Sequence, residues 1–184
     1  MNSFLTVREV TESDIESIVG YWLQSDKAFL QNMGVDIAKL PARDQLSLIL
    51  QKQINTPLEQ RSSYCIIWQA NGMPIGHCNT NPTFYGNEAY MHLHLWNDSV
   101  RKKGLGTALV KMTLPHFFDR LKLKRLVSEP YALNVAPNKS LLKVGFELVK
   151  EYTTIPGSIN FEQPVKRWEM TLEKYQQLKR DSFF

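Results

Sequence analysis

The sequence predicts a mixed α/β fold: a mostly antiparallel mixed sheet of about seven strands flanked by helices. Period-two segments are joined by short turn signals, the clearest being Asn71-Gly72, and amphipathic helical runs interrupt them. A third observation is a strand-like segment ending at Leu95-Trp96 that leads through Gly104 and Gly106 into a helical run from Thr107.

Residues 4–9 alternate and read as the first strand. Thr11-Glu12-Ser13-Asp14 then resembles a capping box, opening a helix whose apolar positions are Ile15, Ile18, Tyr21 and Trp22. Gly34 and Pro41 punctuate a loop, and 44–54 carries Leu46, Leu48, Ile49, Leu50 and Ile54 before Thr56-Pro57 ends a second helix. Residues 64–68 form a strand that turns at Asn71-Gly72 and returns over 74–78, and a third antiparallel strand covers 88–96. The segment 107–121 is helical, with Pro115 predicting a kink or a split near Lys111. A short parallel strand over 126–128, a short helix over 140–144 and strands over 146–152 and 167–171 follow. A long loop over 153–164 and a C-terminal helix over 172–178 complete the order β-α-α-β-β-β-α-β-α-β-β.

At 184 residues, 43% of them hydrophobic, the chain has the length of one domain, 1–184, and enough apolar surface to form a core without disulfides or metals. Cys65 and Cys78 both fall in strand-like segments without metal-ligand spacing, so they are expected to be reduced core residues. No window approaches a membrane span and the N-terminus lacks a secretory pattern, so a cytoplasmic protein without membrane contact is expected. The net charge of +4 is small. Its basic residues gather at 101–103 and at Lys122, Lys124 and Arg125 without interleaved aromatics, which argues against nucleic acid as the partner.

Arg101-Lys102-Lys103-Gly104-Leu105-Gly106 carries the chemistry. A pyrophosphate needs several N–H donors aimed at one point, and a helix N-terminus offers them together with the positive end of the helix dipole. Gly104 and Gly106 let the backbone approach, and the three basic residues add charge. A dinucleotide fingerprint would need a third glycine where Leu109 stands, and a P-loop motif is absent.

This R-x-x-G-x-G run, with a second segment from Glu129-Pro130-Tyr131-Ala132-Leu133-Asn134 through Asn138 and Ser140 to Gly145-Phe146, resembles the GCN5-related N-acetyltransferase (GNAT) superfamily. The resemblance implies a sheet splayed between its fourth and fifth strands, acetyl-coenzyme A as cosubstrate, and direct transfer of acetyl to a primary amine. It implies that Leu95 and Trp96 pair with the pantetheine arm, that Arg101, Lys102, Lys103, Gly104, Leu105, Gly106 and Thr107 hold the pyrophosphate, and that Asn134 bonds the arm with Asn138 nearby.

On the fourth strand Tyr90, His92, His94 and Trp96 share one face by period-two alternation. A neutral imidazole can take the proton of an attacking amine, so His92 and then His94 are the candidate bases. His-x-His can also supply two metal ligands, but no third is identifiable from spacing and the transfer needs no metal. In the family's frequent tyrosine position the chain carries Leu141, leaving Tyr131 or Ser140, or water, to protonate the thiolate. Glu129 is a candidate for orienting a histidine or binding a cationic acceptor. The expected acceptor is the amine of a small molecule. The alternatives are a protein N-terminus, as in the ribosomal-protein acetyltransferases, or a catalytically silent acyl-coenzyme A-binding module. A monomer or a homodimer fits equally.

Overall fold

A computed structural model describes residues 4–97 and 104–181. Its centre is a seven-stranded sheet in the order β1-β2-β3-β4-β5-β7-β6. The strands are β1 (Leu5–Glu9), β2 (Tyr64–Ala70), β3 (Met73–Phe84), β4 (Glu88–Leu95), β5 (Arg125–Ser128), β6 (Glu147–Thr154) and β7 (Gln163–Thr171). All neighbours pair antiparallel except β4 and β5, which run parallel. The helices are α1 (Ile15–Gln24), α2 (Lys27–Asn32), α3 (Arg43–Asn55), α4 (Leu105–Pro115), α5 (Val135–Val144) and α6 (Leu172–Arg180).

The predicted hairpin turn is present, with Asn71 and Gly72 both at positive φ (51° and 78°), the backbone that a two-residue turn between right-twisted strands requires. The acidic end of the predicted capping box is also in place. Thr11 N and Oγ1 donate to Asp14 Oδ2 at 2.8 and 2.9 Å, and Arg8 grips both carboxylate oxygens at 2.7 and 2.8 Å.

Two apolar layers form on the two faces. The main core packs α4, α5 and α6 against the sheet, with Trp68, Met91, Leu109, Phe117, Leu141 and Tyr175 all buried. Each side chain of this size contributes about 1.5–3 kcal/mol by leaving water. The buried indole of Trp68 is satisfied by Thr113 Oγ1 at 2.8 Å. A smaller cluster on the opposite face joins Ile18, Cys65 and Ile67, with Trp22, Leu50 and Trp96 packed against it.

Several elements differ from expectation. β3 runs on to Phe84 rather than ending near Cys78, because β4 is long enough to pair it that far. α2 is an extra short helix, started by Asp26 accepting from Phe29 N at 2.9 Å. α5 begins at Val135, five residues earlier than predicted. Pro115 does not split its helix near Lys111. The α-helix continues to Pro115 and gives way to five π-helical residues, His116–Arg120, whose wider turn absorbs the missing proline N–H. Both cysteines are free and buried, as expected.

Candidate active site

The parallel ladder between β4 and β5 covers only Glu88↔Arg125, Ala89↔Leu126 and Tyr90↔Val127. Beyond it the strands part, which is the predicted splay. Ser128 Oγ, at the end of β5, donates to Met91 O at 2.9 Å and marks the apex of the opening. At the far end of β4 the Trp96 N–H is engaged by Ile75 O at 2.9 Å.

Gly104 caps α4 in the left-handed region, φ 72°, where a Cβ is strained. The first turn of the helix, Leu105, Gly106 and Thr107, therefore starts abruptly, with N–H groups that have no partner within the helix. Arg101, Lys102 and Lys103 lie outside the described residues. Ser140 on α5 stands beside this turn, its Oγ 3.5 Å from where a Gly106 Cβ would be, and it does not line the pocket described below.

Asn134 is the N-cap of α5, yet its side chain makes no capping bond. Asn138 is committed internally: Nδ2 donates to Tyr131 O and Asn134 O at 3.1 and 2.8 Å, and Oδ1 accepts from Trp168 Nε1 at 2.8 Å. Asn138 thus fixes the turn that carries Tyr131 and Asn134. The family resemblance implied a place near the cofactor but gave no sign of this scaffolding work.

A pocket of about 290 Å³ opens on the α1–α3 side of β4 and reaches the end of β5. His92, His94, Glu129, Tyr131 and Asn134 all line it. Its roof is a clasp between segments distant in sequence, 33–40 and 156–163. Val35 forms an antiparallel bridge with Asn160, Asp36 N donates to Ile159 O at 2.8 Å, and Lys39 Nζ donates to Asn160 O at 2.7 Å. Asn160 Nδ2 and Gln163 Nε2 both donate to Gly34 O, at 2.8 and 3.1 Å.

His92 Nε2 bonds Asn81 O at 2.9 Å. A carbonyl only accepts, so Nε2 carries the proton and Nδ1 keeps the lone pair. Burial lowers the His92 pKa, while the bond to Asn81 O and the charge of Glu129 work in the opposite direction. His92 is therefore a neutral base at physiological pH.

His94 is held differently. It stacks on His77, ring centroids 4.6 Å apart, and its Nδ1 meets Tyr21 OH at 3.2 Å. His77 in turn accepts from Trp96 Nε1 at 2.8 Å. Burial takes His77 down to about 3 and holds His94 well below the ordinary histidine range. The pair forms a neutral aromatic layer beneath the pocket. Sequence reading missed His77, because only the β3–β4 register His77↔His94 brings it to this face.

Glu129 is mostly buried, its side chain 8% exposed. Its Oε1 accepts from Arg167 Nη1 at 2.9 Å and from Tyr152 OH at 2.5 Å. Arg167 also bonds Glu169 at 2.6 Å and touches the Tyr90 hydroxyl at 3.4 Å. Burial works against the Arg167 charge, but these partners outweigh it and raise its pKa. Tyr131 packs edge-on against Phe161, centroids 6.1 Å apart. Among the described residues no group of three or more His, Cys, Asp or Glu is arranged to hold a metal ion, and no helix is long and apolar enough to cross a membrane.

Comparison with known proteins agrees with this architecture. No curated protein sequence matches the chain. Among solved structures, a spermidine N-acetyltransferase from Vibrio cholerae in complex with CoA and spermine superposes with a TM-score of 0.75 at 18% identity, covering 94% of this chain and 98% of that one. An aminoglycoside acetyltransferase in complex with coenzyme A and kanamycin gives 0.73 at 19% identity over 96% and 99%. The ribosomal-protein alpha-N-acetyltransferase RimL, in complex with coenzyme A, gives 0.74 at 18% over 92% and 95%. The sequence model of the acetyltransferase (GNAT) domain matches residues 5–147. The chain belongs to the GNAT family of N-acetyltransferases.

Proposed function

We propose that this enzyme transfers acetyl from acetyl-coenzyme A to the primary amine of a small molecule by direct attack. The observation that carries the small-molecule reading is the clasp between 33–40 and 156–163, which roofs the pocket over β4. A peptide threading past β4 needs a groove open along its length, whereas here segments 33–40 and 156–163 are tied to each other where they line the pocket. A protein N-terminus would have to break the clasp first.

In this reading the pyrophosphate sits at the start of α4, against Gly104, Leu105, Gly106 and Thr107 with the basic residues 101–103, and the pantetheine arm enters between β4 and β5 past Leu95 and Trp96. Asn134, whose side chain is not used in capping, bonds the arm. The amine nitrogen attacks the thioester carbonyl carbon, and its proton passes to His92 Nδ1 directly or through one water. The C–S bond breaks as the amide forms, and the thiolate takes a proton from Tyr131 OH or from solvent. His94, Ser140 and Asn138 act as support: His94 in the aromatic layer, Ser140 beside the helix start, Asn138 in the turn before α5.

The test is release of free coenzyme A thiol on mixing the enzyme, acetyl-coenzyme A and a panel of small amines and peptides. Turnover of a small amine that His92→Ala abolishes, with cofactor affinity unchanged by titration calorimetry, supports the reading. Turnover of peptide N-termini alone defeats it.

A further inference from the structure

Resting on the small-amine reading, we infer that the acceptor is a monocationic amine on an apolar body, such as an alkylamine or arylalkylamine, and not a polycation. The inference comes from what the pocket offers a second charge. Its walls away from β4 are Trp22, Met33, Val35, Leu40, Leu46 and Ile159. The polar groups among them are neutral: Ser63, Asn79, Asn81, Ser158 and Asn160.

Among the described residues that line the pocket, Glu129 is the single carboxylate. It is already half spent. Both of its protein partners, Arg167 and Tyr152, bond the same oxygen, Oε1, and the guanidinium, which it shares with Glu169, offsets part of its charge. Its second oxygen, Oε2, makes no hydrogen bond to a described residue. That leaves room for one ammonium, close enough to His92 for the Glu129 charge to act on the imidazole.

An amine that docks as an ammonium on Oε2 can pass a proton to solvent and then attack as a neutral nucleophile, giving its second proton to His92. A second or third ammonium on the same molecule would have to sit among the apolar walls with no counter-charge, and an unpaired charge out of water is strongly unfavourable. An alkyl chain or aromatic ring in the same place instead gains from leaving water, and Trp22 offers it a face. The space also limits size, since about 290 Å³ is at the lower end of ligand pockets. The structurally similar enzymes in complex with spermine and with kanamycin hold ligands of the opposite kind.

Thiol release measured at pH 8 with acetyl-coenzyme A and, in turn, 2-phenylethylamine, n-hexylamine, spermidine, kanamycin and a short peptide with a free N-terminus tests the inference. The expected result is kcat/KM for either monoamine about 100-fold or more above spermidine and kanamycin, the penalty of one uncompensated ammonium. Met33→Glu, which puts a carboxylate on the half-buried apolar wall, should narrow that ratio by raising turnover of spermidine. Spermidine or kanamycin used as well as the monoamines overturns the inference while leaving the small-amine reading intact. Turnover of the peptide alone overturns both. Failure of both monoamines, with acetyl-coenzyme A binding confirmed, also overturns the inference.

Discussion

His92 donates from Nε2 to the main-chain carbonyl of Asn81 at 2.9 Å, and this single bond decides which ring nitrogen can act as a base. With Nε2 protonated, Nδ1 holds the lone pair. His92→Ala is expected to lower kcat about 10² to 10⁴-fold, the range for losing a positioned general base, with little change in acetyl-coenzyme A affinity. Titration calorimetry beside steady-state rates separates the two effects. Loss of cofactor binding in the same variant would place His92 on the cofactor rather than the amine.

The pH profile follows from the same residue. Burial lowers the His92 pKa, so the base form persists below pH 6.5. Neutral amine becomes tenfold scarcer per unit below its own pKa, so log kcat/KM for a monoamine should rise with a slope of about 1 through neutral pH. The slope should steepen toward about 2 only below pH 6.5, where His92 also becomes protonated. A break to the steeper slope above pH 7 is incompatible with the assigned environment.

How far the site could be read in the sequence depended on the range of the interaction. The helix start at Gly104 and Gly106 and the shared face of His92 and His94 follow from local spacing, so period and turn chemistry reach them, whereas Asn134 was singled out by the family resemblance and the start of α5 beside it was not read. The His77 contact does not, because it depends on a strand register fixed only when β3 pairs β4. The clasp joins residues more than 120 positions apart, at Gly34 with Asn160 and Gln163, and neither loop carries a periodic signal. Glu129 was legible as a charge in the right place. That Arg167 on β7 balances it was not, since the partner arrives through the β5–β7 pairing.

His77 links the site to stability. Its folded pKa, about 3, is far below the ordinary value of 6.5, so the unfolded chain binds the proton first as pH falls. Its contribution is therefore complete above pH 6.5 and is lost progressively between 6.5 and the folded pKa, at about 1.4 kcal/mol per pH unit. His94, His92 and His116 are lowered as well and add to the same slope. Asp14, also lowered, acts only below about pH 4. Urea unfolding at pH 4.5, 5.5 and 6.5 should show stability falling with acid, and His77→Gln should reduce that slope by about one proton. An unchanged slope would mean that His77 is already protonated in the fold.

The ion pair Glu129–Arg167 is largely shielded from solvent, with side chains 8% and 14% exposed. Arg167→Met leaves Glu129 and Glu169 without their shared cation, and although Glu169 keeps Arg125 at 3.6 Å, breaking this part-buried pair from one side should cost up to about 3 kcal/mol, the lower end for a buried pair. Adding Glu129→Gln removes one stranded charge, so the double variant should be more stable than the two single effects summed. A double-mutant cycle by urea denaturation reads this directly. Simple additivity would show that the charges are solvated independently.

Gly34 tests the clasp. Its φ of +88° disfavours any side chain, and an added Cβ would lie 1.9 Å from Gln163 Oε1. Gly34→Ala must therefore push apart the two segments that meet over the pocket, where Asn160 and Gln163 share the Gly34 carbonyl. The left-handed backbone alone costs about 1–2 kcal/mol for a residue with a Cβ, a loss that a fold of ordinary stability survives. The start of α4 does not touch the clasp, so acetyl-coenzyme A should bind as before. The amine loses one wall of its pocket, so its KM should rise about tenfold or more, the consequence of forfeiting roughly 1.4 kcal/mol of acceptor contact. If peptide N-termini become substrates in the same variant, the clasp is also what excludes them. If amine KM does not move while the protein is measurably destabilised, the clasp is only a structural tie and the acceptor sits deeper, against β4.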